Sequence, residues 1–575
     1  MATRVRAAVF GGAFAIALVV TALGGGARGD QTPSPPPVPA ASASPAAGSI
    51  TPAPAITPVG PQPIYAPSPC GSGATDCSPG PQGTYMQTET PAPAPVSINP
   101  PSVRVLLGHS ASARVLSPPS GILLLSGYDE NVVRAIFNPV DRTIDLMGLH
   151  PGTTRVTATG PNGLTATLDV AVQISAGKTD AFTSINVTGH PASSLFVAEM
   201  AQAAAVRVAY AQPGARITTD SPNDSRELAP DQTTLVHVPI DITGENYFAY
   251  RGSVAVRITN LAQPQVAPRF TLVSDFPETI TENGTLFYSD LTFDKPARLL
   301  YYHYAPANAP LRRVLVKVQN PGADSSLLEM ISGIAGPFTD ILGVGHESTR
   351  RFLVHDAAGE GEVFEVPPRA TINVIDQLLP AENLVCGLMQ MRVISGPGLR
   401  VAVVVQDADA SPTEPISDTL LSSAVKHSRG VYQVPEFFYD EWYTVGDAPT
   451  SLAIGKLPLP NLVEGEVLGG DYGVKQSADV NLLNPTNAAV DVGLWFEPRG
   501  GRATGTLLID GDVVQLHPVD PMHPALVRRF SVPAHSFVHV SVVTMPEGGS
   551  AYPVNLLFAS DPPPGGGWNI STAVH

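Results

Sequence analysis

The sequence predicts a mainly β protein made of several antiparallel β-sandwich modules, with one helix-bearing segment near residues 191–210. Three observations carry that expectation. Beyond residue 95, short runs alternate β-branched or apolar residues with polar ones and close on Gly, Pro, Asn or Asp, the pattern of half-buried strands. Apolar residues make up 43% of the 575-residue chain and charged ones 14%, so much apolar material over such a length calls for several cores. Helical spacing is convincing in a single stretch.

The N-terminal part is read as a targeting and spacing region. Arg4 and Arg6 precede an apolar run over 7–23 and small residues over 24–27, the three-part layout of an export signal. The run is slightly short for a membrane anchor, which favours a signal peptide at 1–27, and no later run approaches spanning length. Residues 28–95 are rich in Pro, Ala, Ser and Thr, with Asp76 and Glu89 as the charges of the tract from 31 onward. Such a tract buries no core and favours an extended polyproline II stem. The expected location is exported: periplasm, cell surface or outside the cell. Cys70 and Cys77 stand in the stem as C-GSGATD-C, a spacing that admits a disulfide in an oxidising compartment and equally two free thiols. Cys386, inside LVCGLMQMRV, reads as an inert core thiol. The net charge of −17, without a basic run, argues against nucleic acid or an anionic membrane as partner; an unknown protein or a surface polysaccharide remains.

Residues 96–175 begin VSINPPSVRVLLGHSASARVL and end GLHPGTTRVTATGPNGLTATLDVAV with a short tail. Two alternating runs, 155–159 and 164–172, flank a Gly-Pro-Asn-Gly turn and predict a hairpin. The order of Gly108, Asp129, Val133, Gly148, Pro151, Gly152, Thr153, Thr154 and Gly163 resembles the bacterial immunoglobulin-like domain, group 2, found as repeated stalk modules in invasin- and intimin-like surface proteins. Two departures stand out: Leu123 to Leu125 occupy the region of the family's tryptophan, and its usual hairpin glycine is replaced around Asp141 to Thr143. The resemblance implies an immunoglobulin-like spacer or adhesive module, and no ligand-binding residue among the matching positions.

Residues 176–268 are expected to form either a small α+β domain or a sandwich carrying one helix. Phe196, Met200, Ala203 and Val206 recur at helical spacing in PASSLFVAEMAQAAAVRVAY, and Gln212-Pro213-Gly214 supplies a stop. Strands are expected over 182–187, 235–242 and 254–259. Beyond them lies a long-period duplication: VLVKVQNP answers to ADVNLLNP, Phe364-x-Val-Pro to Phe530-x-Val-Pro, and Pro380 to Pro546. Asn320 and Asn484 are 164 residues apart, and the other two pairs 166. Landmarks in register predict two related sandwiches, at 269–410 and 431–575, with a helix-prone polar linker at 411–430. His346 with Arg350-Arg351-Phe352 offers a competing match to His523 with Arg528-Arg529-Phe530. Asp510-Gly511 marks a type I′ hairpin in the second copy.

No nucleophile elbow, phosphate loop or dinucleotide fingerprint appears in a workable context, so the chain reads as non-enzymatic, with no cofactor called for. Two constellations in 431–575 define the alternative, a secreted carbohydrate-binding, carbohydrate-active or metal-dependent protein. Asp440, Glu441 and Trp442 set carboxylates among aromatics, a sugar-contacting composition. As neighbours on a strand, the two carboxylates point to opposite faces and cannot be a hydrolytic pair alone. His517, Asp520 and His523, in the loop HPVDPMHP, carry donors that suit zinc, against the simpler reading of a proline-rigid polar loop.

Overall fold

The structure is a computed structural model and describes residues 95–293, 295–411 and 416–568. The signal segment, the stem through residue 94, and Cys70 and Cys77 lie outside the described residues. The described chain is mainly β, with seven sheets and two helices.

The first module is an immunoglobulin-like sandwich of two four-stranded sheets. Its last hairpin pairs Gly152–Thr159 with Thr165–Gln173, Arg155 opposite Asp169. The alternation puts Val156, Ala158, Leu168, Val170 and Val172 into the core with Ile144 and Leu146. The residues behind the family resemblance hold turns and core. Val133 is buried, the Thr154 hydroxyl oxygen accepts from the Asp129 amide at 2.8 Å, and a Cβ on Gly148 would lie 2.8 Å from Val172. At the departures, Leu123 is buried in the core, and Arg142 adopts φ 58°, the left-handed conformation that glycine takes at no cost.

The helix arises at Ser194–Arg207 (α1). The Ser193 hydroxyl caps it by accepting from the Phe196 amide at 3.2 Å. It stops before Gln212-Pro213-Gly214, because Ala209–Ala211 pairs as a short strand with Gly177–Thr179. The buried stripe is Phe196, Val197, Ala201, Ala204 and Ala205, rotated from the expected one, with Val206 exposed. α1 covers Phe182–Thr188, Thr233–Thr243 and Tyr250–Asn260, the first and last of which run parallel. This segment is therefore α+β. It does not end at its own sheet edge: Phe182–Thr188 pairs with Gly361–Val366. The two regions thereby share one ten-stranded sheet that ends at Arg429–Tyr432.

A second helix, Ile341–Ala358 (α2), was not expected. Asp340 caps its start and Gly359, at φ 65°, its end. α2 lies between Ser326–Phe338 and Gly361–Val366, and Phe352 and Leu353 enter the core beneath it. Because Phe352 is helical while Phe530 lies on the strand Ala525–Val532, the match of His346-Arg350-Arg351-Phe352 to His523-Arg528-Arg529-Phe530 does not hold; Phe364, on a strand like Phe530, fits.

Five strands of each large sandwich share their pairing, although Arg312–Gln319 pairs antiparallel with Leu399–Asp407 on its other side and the matched Lys475–Asn484 parallel with Glu436–Thr444. Arg312–Gln319 pairs with Thr371–Leu379, and Ser326–Phe338 with Gly361–Val366 and Leu384–Ser395. Lys475–Asn484 pairs likewise with Ser536–Thr544, and Val490–Pro498 with Ala525–Val532 and Val554–Ala559. Where the first inserts α2, the second inserts the hairpin of Ala503–Ile509 and Asp512–Val519, turning on Asp510 (φ 53°) and Gly511 (φ 90°). Asn320 donates to the carbonyls of Asp324 and Val366 at 2.8 and 2.9 Å, and Asn484 to those of Ala488 and Val532 at the same distances. In the expected linker, the described residues 416–430 carry no helix and lie on the first sandwich. The Leu421 amide donates to the Thr285 carbonyl at 2.8 Å, and the Arg429 guanidinium to the Phe276 and Leu421 carbonyls.

Candidate functional site

Asp440, Glu441 and Trp442 sit on Glu436–Thr444, which runs parallel to Lys475–Asn484, itself antiparallel to Ser536–Thr544. Strand alternation sends Tyr443 into the core and Trp442 outward. In register, Trp442 stands beside Asn481 and His539, and Asp440 beside Asp479 and Ser541. Phe537, opposite Leu483, brings its ring centroid within 6.1 Å of that of Trp442, and each of these residues is 56% exposed. Phe438 lies farther along the same face and is exposed. The result is an aromatic pair bordered by carboxylates, an amide and an imidazole. Apolar ring faces and hydrogen-bonding edges together match a sugar, which has both apolar C–H faces and a rim of hydroxyls. Glu441 is exposed but out of phase with Asp440 and Trp442, so it does not join them.

His517, Asp520 and His523 do not assemble. All three are exposed; Asp520 instead approaches the Arg502 guanidinium at 3.6 Å, and the His523 amide closes a turn onto the Asp520 carbonyl. Among the described residues, the trio of His, Cys, Asp or Glu donor atoms lying within 4.8 Å of one another is Asp275, Glu278 and His427.

Sheet register creates that second cluster. Phe270–Ser274 pairs antiparallel with Arg429–Tyr432, and the Asp275 amide donates to the Ser428 carbonyl at 3.1 Å, so the residue after one strand meets the residues before the other. His427 Nδ1 lies 3.6 Å from Asp275 Oδ2, and Nε2 lies 3.2 Å from Glu278 Oε2. Burial pushes the Asp275 carboxyl up to about 6, against the lowering effect of His427. The Asp275 carboxylate in turn raises His427 above its ordinary value. The cluster lines a cavity of about 560 Å³ whose apolar wall includes Leu300, Tyr302 and Leu468, and whose far side is the 548–551 turn of the second sandwich. No local motif marks these residues, since 278 and 427 meet only through strand pairing.

Two further polar groups join the sandwiches. Glu547, fully buried, accepts from His346 Nδ1 of α2 at 2.9 Å and from the Thr504 hydroxyl. Arg298, also fully buried, meets Glu436 at 3.2 Å; Lys475 bridges Glu436 at 2.8 Å and Asp356 of α2 at 3.0 Å. His303 is held in the core between the Ser274 hydroxyl and the Pro277 carbonyl, and burial lowers it to about 4, which keeps it neutral. Cys386 is a buried free thiol that burial pushes up to about 12, an inert state.

No protein-family model matches the chain, and no curated protein matches it. Solved structures do. The chain is similar to the N-terminal Ig1-2 module of the Drosophila receptor protein tyrosine phosphatase DLAR: 13% identity, 29% of this chain and 100% of that one, TM-score 0.14. Fibronectin(III)-like modules of Clostridium thermocellum CbhA match at 11% identity over 29% of this chain and 94% of theirs, TM-score 0.15. The Bacteroides ovatus mixed-linkage glucan utilization locus protein SGBP-B, solved with a heptasaccharide, matches at 10% identity over 53% of this chain and 72% of its own, TM-score 0.12. The first two are Ig-like and fibronectin(III)-like β-sandwich modules. Identities and scores at this level transfer neither ligand nor activity. No helix among the described residues is long and apolar enough to cross a membrane.

Proposed function

We propose that this chain is an exported, non-enzymatic binding protein of the bacterial surface or envelope. Its stem spaces folded modules from the point of attachment, and the last sandwich contacts a surface polysaccharide. On this reading the first module is a stalk domain of the bacterial group 2 type, and the two large sandwiches are copies of one ancestral unit. The common strand pairing and the matched Asn320 and Asn484 hydrogen bonds support the duplication. The observation that carries the binding reading is the exposed Trp442 and Phe537 pair, held on a sheet face beside Asp440, Asp479, Asn481 and His539. Exposed rings 6.1 Å apart and tilted by 46° on a sheet face leave apolar area that a stacked pyranose covers.

Glycan-array binding followed by affinity electrophoresis tests this. Trp442→Ala and Phe537→Ala are each expected to weaken retention roughly tenfold or more, as loss of a central aromatic contact does, while Glu441→Gln leaves it unchanged. Retention equal to that of the parent in both ring variants removes the proposal. The export reading is checked by fractionation with N-terminal sequencing of the recovered chain, where an intact N-terminus in a purely cytoplasmic pool refutes it.

A further inference from the structure

We propose that Asp275, Glu278 and His427 form a divalent-cation site on the wall of the cavity between the two large sandwiches. The inference is independent of the polysaccharide face. The donor set is one imidazole nitrogen and two carboxylate oxygens, which suits a borderline ion such as Zn²⁺ better than a purely oxygen-seeking one. Each residue already offers a ligand atom within 4.8 Å of the other two. Donors around a common zinc at about 2.0–2.2 Å lie roughly 3.5 Å apart, so a small contraction completes the set.

A separate observation points to a ligand. Asp275 Oδ1 is shut off from solvent and has no hydrogen-bond partner, although the side chain as a whole keeps 26% exposure. An orphaned carboxylate oxygen costs stability, and a cation held by both Asp275 oxygens, of which Oδ2 already faces His427, removes that cost. No arginine or lysine among the described residues takes the role: Lys426 Nζ stands 5.0 Å over the Phe276 ring, and the Arg429 guanidinium donates to backbone carbonyls beside the same ring. The cavity leaves the remaining coordination positions to water or a small ligand. The ion would tie the segment bearing His427 to the end of the strand Phe270–Ser274, and so fix the passage from the first sandwich to the second.

The test is zinc titration of the metal-stripped full chain by calorimetry, with thermal unfolding in parallel. One zinc per chain is expected, with a zinc-dependent rise in unfolding temperature. His427→Ala and Glu278→Gln are each expected to weaken binding at least tenfold. Glu278→Gln preserves shape at a residue whose side chain is 33% exposed, so it reads binding even if His427→Ala fails to fold. The double variant His517→Ala, His523→Ala should bind as the parent does. The proposal is overturned by the absence of stoichiometric binding, by unchanged affinity in Glu278→Gln, or by loss of binding in the His517, His523 variant. Calcium bound in preference to zinc also overturns it, because imidazole would then not be a ligand.

Discussion

Asp471 holds φ 52° and is buried, with Oδ1 lacking a hydrogen-bond partner. Burial raises its carboxyl to about 7, against the lowering effect of the Leu457 amide. A carboxyl whose folded value lies above its unfolded one keeps its proton longer in the native state. Stability is therefore lost as pH rises from about 4 to about 7. Asn tolerates the left-handed backbone and retains an acceptor without the charge. Asp471→Asn should leave stability nearly unchanged at pH 4 and raise it at pH 8, on the order of 2–4 kcal/mol for a gap of this size, measured by urea unfolding at both values. A gain equal at the two pH values would refute the charge argument. Asn320 and Asn484 supply the complementary case of fully satisfied buried amides. Each donates twice to backbone carbonyls and accepts one backbone amide, from Gly322 and Thr486 respectively. Asn320→Ala and Asn484→Ala should each cost roughly 2–4 kcal/mol through the unpaired groups left behind, and the two losses should be alike.

Elements differ in how openly the sequence announces them. The 152–173 hairpin is plain because one face is buried and the other wet, so alternation is strict. α1 is plain because alanine favours helix and Ser193 caps it. Its buried face was displaced from the expected one because small alanines, rather than Met200 and Val206, let the helix approach the sheet. α2 escaped because Gly343 and Gly345 interrupt its first turns and its polar residues face several neighbours. The Asp340 and Gly359 caps and the pairing of Glu347 with Arg350 and Arg351 were the signals that mark it. The glycines have a tertiary reason: a Cβ on Gly345 would lie 1.8 Å from the Gly548 carbonyl oxygen. The outward place of Trp442 follows from strand parity once Tyr443 is in the core; the Asp275 cluster has no such local rule, because its residues join through long-range pairing. Contact between α2 and the second sandwich also depends on His346. Burial lowers its pKa, but the Glu547 carboxylate more than offsets this and leaves it raised. That contribution is complete below about pH 6.5 and fades as pH rises through the raised value. His346→Gln should flatten this part of the stability profile above about pH 6.5 in thermal unfolding; an unaltered slope would refute the assignment.

Over the described molecule, the ten-stranded sheet runs without a break from the α1 segment into the first sandwich, so these two regions share a backbone ladder, reinforced by side chains such as Arg207 on Glu362 and Phe196 against the His355 ring. The second sandwich is attached through side chains. It meets the first through α2, through a buried apolar cluster that sets Leu508 and Met545 against Leu300, Tyr302 and Phe352, and through ions taken out of water: Arg298, Glu436, Lys475 and Asp356. Such a group adds little net stability while intact, but removing one member leaves uncompensated charge behind. Glu436 is the member both cations share, at 3.2 Å from Arg298 and 2.8 Å from Lys475. Glu436→Gln keeps the shape and deletes the shared charge, which should cost roughly 3–5 kcal/mol. Because the loss falls on the junction and not within either core, calorimetry should resolve a joint transition in the parent into two in the variant, with the second sandwich unfolding apart from the rest. A single transition merely shifted to lower temperature would instead mean that α2, through Gly345 against Gly548 and His346 against Glu547, and the apolar cluster of Leu508 and Met545 against Leu300 and Phe352 suffice to couple the two.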